Sequence, residues 1–144
     1  MIAVDTNILI YAHRPESPWH DVAHRRLTEL AGQPARWVVP WPCVHEFYAV
    51  VTHPRAFKTP ATPAEALSFL AALGAGGSLR FVAEGAHHFE LLSALARSAR
   101  LSGGAIHDAR IAAICLDHGV RELWTADRDF SRFPRLKTVN PLVG

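Results

Sequence analysis

Cysteine is scarce: Cys43 and Cys115 are the only two in 144 residues. They make neither a metal-type pair nor a disulfide framework, so reduced thiols are expected. Long apolar runs are missing too. None approaches the roughly 18 residues that a membrane helix needs, so no membrane association is expected. The N-terminus has no basic leader, because the apolar stretch after Met1 meets an acid at once, at Asp5. A cytoplasmic protein that keeps its first residue in the fold is the expectation. An excess of one charge sign is also absent, with 15 Lys+Arg against 13 Asp+Glu and a net charge of +2. No global field therefore advertises a nucleic-acid partner. No repeat, low-complexity tract or long linker divides the chain, and its length suits a single domain over residues 1–144.

What is present is a core-forming composition, 49% hydrophobic and 19% charged, which argues against disorder. Thirteen of the 15 basic residues are arginine. Arginine forks onto phosphate and stacks on bases, which is one reading of this bias; ordinary surface arginine is the other.

Short β-like runs alternate with helical patterns. Strands are expected at Met1–Val4, Trp37–Val39, Leu79–Val82, Leu123–Ala126 and, as a fifth, Lys137–Val139. A short helix is expected through Ile8–Ala12. Ser17-Pro18 looks like the start of a second, carried by Trp19, Val22, Ala23, Leu27 and Leu30 and ended at Gly32. Pro42 opens a third, with Val44, Phe47, Tyr48 and Val51 on one face. Thr62-Pro63-Ala64-Glu65 matches a capping box. Phe89 to Ala99 and Ile106 to Leu116 mark two more helices, separated by Ser102-Gly103-Gly104. Strands alternating with helices predict an α/β domain with a mostly parallel sheet of four to five strands.

Ligands of open parallel sheets bind beyond the carboxyl ends of the strands. Asp5 and Asp127 follow the first and fourth expected strands. Glu46 falls in the first turns of the helix after the second strand and Asp108 in the first turn of the helix after Gly103-Gly104, and helix starts that follow strands face the same edge. Each acid alone reads as a turn or helix-start residue. Four converging from distant segments repel one another, and a divalent cation is the common remedy. An all-carboxylate set suits Mg²⁺ or Mn²⁺ better than Zn²⁺. Such a site fits phosphodiester hydrolysis, with an acid left free of metal to orient or deprotonate water.

Four segments carry a family resemblance. Ile2-Ala3-Val4-Asp5-Thr6-Asn7, Val44-His45-Glu46-Phe47, Ile106-His107-Asp108-Ala109 and Thr125-Ala126-Asp127-Arg128-Asp129-Phe130 resemble, in order and spacing, the motifs of the PilT N-terminal (PIN) domain. Length and organisation resemble its VapC-type toxins. The resemblance implies a three-layer α/β/α fold and a Mg²⁺- or Mn²⁺-dependent endoribonuclease, the toxin of a toxin–antitoxin pair. It also implies an RNA substrate, an antitoxin partner and a homodimer. Carried over, Asp5 and Asp108 are the firmest metal ligands, and Glu46 and Asp127 complete the site. Asn7 and Thr125 support it by hydrogen bonding. Asp129 is either a fifth acid or a turn cap, with Asp127 preferred because it follows the strand directly. Arg128 reads as a substrate contact or as a neutraliser of its acidic neighbours. Arg14, Arg110 and Arg132 are the other arginines near the motifs and are candidates for the RNA backbone.

Rival readings fare worse. His20-Asp21-Val22-Ala23-His24 resembles a zincin helix but has Asp where Glu is needed and no clear third ligand. A two-aspartate phosphatase needs an acid where Asn7 stands. Ser102-Gly103-Gly104 is too short for a phosphate loop and lacks its lysine. A housekeeping nuclease of the same fold, or a non-catalytic interaction module, remains as the alternative from outside the toxins.

Overall fold

The computed structural model describes all residues, Met1–Gly144. Five strands form one sheet: β1 (Ile2–Val4), β2 (Trp37–Pro40), β3 (Leu79–Val82), β4 (Glu122–Trp124) and β5 (Lys137–Val139). Their spatial order is β3-β2-β1-β4-β5, and every neighbouring pair is parallel. The expected sheet is thus present in its five-strand form and is parallel throughout. Six helices connect it: α1 (Thr6–His13), α2 (His20–Gly32), α3 (Trp41–Val51), α4 (Pro63–Gly74), α5 (His88–Ala99) and α6 (Ile106–Asp117).

The strand order decides where the site lies. From β1 the chain steps outward through β2 to β3, then crosses back to place β4 on the other side of β1. The reversal leaves a crevice between the carboxyl ends of β1 and β4, the place where such sheets bind ligands. Asp5 follows β1, and Asp127 lies three residues beyond β4.

The apolar pattern accounts for the layers. Trp37, Val38 and Val39 of β2 are all buried, as are Ala3 and Val4 of β1, so the central strands are covered on both faces. Residues 109 and 111–115 of α6 are almost continuously buried, which marks it as a core helix. The Trp37 indole N–H, fully enclosed, donates to Ser78 Oγ at 3.1 Å. The capping box at α4 forms as the sequence predicts. Thr62 Oγ1 accepts from the Glu65 amide, and Glu65 Oε1 accepts from the Thr62 amide. Gly103, at φ 62°, makes the left-handed turn that leads through a short 3-10 segment, Gly103–Ala105, into α6.

Three expected boundaries shift. α1 begins at Thr6 rather than Ile8, because the Asp5 side chain caps it. α2 begins at His20 and not at Pro18, because Ser17 spends its hydroxyl on a tight local turn, accepting from the Trp19 amide at 3.1 Å. β4 is Glu122–Trp124 and not Leu123–Ala126. Thr125 still donates its amide to Val139 O, but the Ala126 amide turns to the Asn7 side chain. Asp127 therefore does not follow the strand directly.

Candidate active site

Asp5 is the best-enclosed acid, 4% exposed. Its amide donates to Trp124 O, which pins the end of β1 to the end of β4. One carboxylate oxygen accepts from the Thr6 amide at 2.8 Å and the Cys43 thiol at 3.5 Å. The other accepts from Thr125 Oγ1 at 2.8 Å and Asn7 Nδ2 at 3.3 Å. Burial nevertheless outweighs these donors and pushes the Asp5 carboxyl up, with the Asp127 charge adding to the rise.

Thr125 and Asn7 join the two strand ends. Thr125 Oγ1 donates to Asp5 and accepts from the Asp127 amide at 3.0 Å and from Asn7 Nδ2 at 3.3 Å. Asn7 Oδ1 accepts from the Ala126 amide. Asp127 then accepts from the Asp129 amide at 2.8 Å through its carboxylate, which starts the 3-10 segment Arg128–Arg132. Thr125→Val leaves the Asp127 amide unpaired and Asp5 short of a donor. It is expected to lower stability by about 1–3 kcal/mol and metal affinity by about 10–100-fold. Thr125→Ser restores both; calorimetric unfolding and metal titration of the two variants check this.

Carboxylate oxygens of Asp108, Asp127 and Asp129 lie within 4.8 Å of one another. Asp129 therefore stands with the other two acids and is not the turn cap, a role that Asp127 takes by accepting from the Asp129 amide. Glu46 sits at the exposed rim, on α3. Partial burial raises its carboxyl, with the charges of Asp5, Asp108 and Asp127 adding to the rise. The Asp108 carboxyl rises for the same reasons, burial first and Asp127 next, against the lowering influence of Arg132. Of the four acids picked out from the sequence, Asp108 and Asp127 come together with Asp129, while Asp5 and Glu46 lie within electrostatic reach of them but outside that close group.

The sequence reading missed three contributors. Cys43 lies three residues before Glu46 on α3, so both face Asp5, and that spacing was the available signal. Burial keeps this thiol protonated, so it serves as a donor and not as a nucleophile. Thr6 is 3% exposed. Its hydroxyl makes no close hydrogen bond, but it lies near Glu46 and Cys43 and tempers the rise of both groups. Arg132, expected only as an RNA contact, is the cluster's counter-ion, with Nη2 3.0 Å from Asp108 and 3.9 Å from Asp129.

Other expectations are corrected. Arg128 is exposed and forms no ion pair, so it does not neutralise Asp127 or Asp129. Arg14 is not open to RNA. It is buried, paired with Glu16, donating to Thr59 O and lying over the Phe57 ring, where it anchors the segment between α3 and α4. Arg110 is spent on an exposed pair with Glu84 at 3.2 Å. His20 is tied to Tyr11 O through Nδ1, and no metal-capable group includes it or His24.

Hard oxygen donors in this number suit a divalent cation of the Mg²⁺ or Mn²⁺ type, and the like charges of Asp108, Asp127 and Asp129 fit one. Residues 2–136 match the family model of the PIN domain. The chain is 34% identical over its whole length to a VapC ribonuclease of Mycobacterium bovis, covering 97% of that protein. It has the same identity and coverage with ribonuclease VapC43 of Mycobacterium tuberculosis. Among solved structures it resembles a toxin–antitoxin complex from Klebsiella pneumoniae, with a TM-score of 0.66, 20% identity and 98% of each chain covered.

Proposed function

The chain belongs to the PIN domain family, and we propose that it is a divalent-metal-dependent endoribonuclease, the toxin of a toxin–antitoxin pair. The observation that carries the chemistry is the approach of Asp108, Asp127 and Asp129 to within 4.8 Å beside Asp5 and Glu46. Relatives that match along their whole length are named ribonucleases, which supports RNA as the substrate. The toxin–antitoxin complex of the same fold supports an antitoxin as partner.

In this reading Asp108, Asp127 and Asp129 would hold the ion, with the buried Asp5 charge adding to its attraction. A bound divalent cation supplies charge that acidifies water and offsets the negative charge growing on the phosphate. Thr125 and Asn7 fix the Asp5 carboxylate, and Thr125 also holds the Asp127 backbone amide, so that the site does not rearrange as charge develops. Glu46, at the open rim, is the acid left to take the proton from the attacking water, and the burial and neighbouring charges that raise its carboxyl make its ionised form a stronger base. Arg132 steadies Asp108 through its ion pair.

Purified protein, freed of any co-purifying antitoxin, is expected to cut a mixed RNA pool with Mg²⁺ or Mn²⁺ and to stop when EDTA is added. Gel analysis of the pool checks this. Intact RNA at every metal concentration would leave the fold as a binding module and sink the enzymatic reading.

A further inference from the structure

A cavity of about 190 Å³ opens between α5 and the turn that follows the 3-10 segment Arg128–Arg132. Ala94, Leu95 and Ser98 line it from α5, and Arg132, Pro134 and Arg135 from the turn. No carboxylate lines it. Arg132 belongs to both this cavity and the acid cluster. Its Nη2 is 3.0 Å from Asp108, and its Nε donates to Asp129 O at 3.0 Å. That anchoring holds the guanidinium in place and leaves Nη1 without a protein partner. Arg135 is exposed and forms no salt bridge.

We propose that this cavity receives a backbone phosphate of the RNA strand next to the linkage that is cut. The proposal rests on the nuclease reading above and deepens it. A cluster of carboxylates repels a polyanion, so the strand must be gripped beside the cluster by cations that the acids have not neutralised. Arg135 is such a cation, and Arg132 has a free edge. Guanidinium groups fork onto phosphate oxygens, and the Ser98 hydroxyl adds a third donor. The apolar walls from Ala94, Leu95 and Pro134 concentrate the field of the two charges. The cavity stands one guanidinium away from Asp108, so its occupant is a near neighbour of the phosphate at the acids.

The test is binding of a fluorescent, mixed-sequence ten-nucleotide RNA pool to the full chain in EDTA, read by anisotropy across a KCl series. Neutralising one phosphate contact on single-stranded RNA changes the slope of log affinity against log salt by about 0.7. Arg135→Ala, which touches no acid of the cluster, is expected to lose about that much slope and to bind several-fold more weakly. Arg135→Lys recovers the slope. Arg121→Ala, at the opposite edge of the sheet before β4, changes neither quantity. Equal losses in the Arg121 and Arg135 variants mean diffuse attraction and overturn the cavity. So does a wild type that cuts the pool in Mg²⁺ yet shows no RNA binding in EDTA, or none that Arg135→Ala weakens. In those cases the nuclease reading stands, because cleavage is scored separately. If Arg135→Ala spares RNA but abolishes binding of a ten-residue polyglutamate, the cavity serves an acidic protein partner and the proposal fails.

Discussion

Asp127→Asn is expected to cut RNA more than about 100-fold more slowly, since removing partners one step behind a metal ligand already costs about 10–100-fold. The same variant is expected to melt higher than wild type in the absence of metal. Asp127 contributes to raising the carboxyls of Asp5, Glu46 and Asp108, so its charge works against the fold while no cation is bound. Asparagine keeps the local structure, because its side-chain oxygen still accepts from the Asp129 amide and caps the 3-10 segment equally well. Activity and stability thus move in opposite directions, which simple misfolding cannot produce. Asp5→Asn is a poorer probe. Its new amide would point a donor at the donors that now converge on Asp5, and a loss of activity there would carry a loss of stability with it.

The second large effect is the response of stability to metal and pH together. Asp5, Asp108 and Glu46 have raised carboxyls in the fold, above ordinary values of 3.8 for Asp and 4.5 for Glu. The native state then holds these protons more tightly than the unfolded chain. Their cost is absent below the ordinary carboxyl range, grows as pH rises through the raised folded-state values, and is complete above them. The melting advantage of metal-free Asp127→Asn over wild type is therefore expected to vanish in acid and to widen toward neutral pH. Mg²⁺ or Mn²⁺ reverses the ranking. A ligand at about 100 times its dissociation constant stabilises by roughly 2.7 kcal/mol, which for a domain of this size is about 5–10 °C. That gain belongs to wild type and grows with pH over the same window. Thermal melts across pH, with EDTA and with metal, check it. Parallel curves for the two proteins under all conditions would mean that the acids do not act together.

Much of the fold was legible because its signals are local. The capping box at Thr62 to Glu65, the glycine break before α6 and the acids after β1 and β4 each follow from residues a few positions apart. That Asp5 and Asp127 come off the carboxyl edge of the sheet followed from strand and helix alternation; that Asp129, and not Asp5 or Glu46, joins Asp108 and Asp127 in the close group did not. What lay hidden depends on contacts across the sheet. Arg132 and Asp108 are separated by 24 residues, and nothing in either segment says that one neutralises the other. The depth at which Asp5 is held comes from Thr125, 120 residues away, and from Cys43 on another helix. Arg14 read as a candidate RNA contact because it lies near the first motif. Its burial is imposed by Phe57 and the Thr59 carbonyl, which belong to the segment between α3 and α4. Asp129 stayed ambiguous because a turn cap and a site acid look alike in sequence; in the fold Asp127 is the cap, and both acids join the cluster.

The most direct measurement is Mn²⁺ binding followed by the electron paramagnetic resonance signal of the free ion. Titrated wild type is expected to remove Mn²⁺ from solution, with competition by Mg²⁺, and Asp127→Asn and Asp108→Asn to leave it free although both remain folded. Wild type that leaves Mn²⁺ free, or an Asp127→Asn variant that binds it as wild type does, would contradict the assignment of the acidic cluster as a metal site.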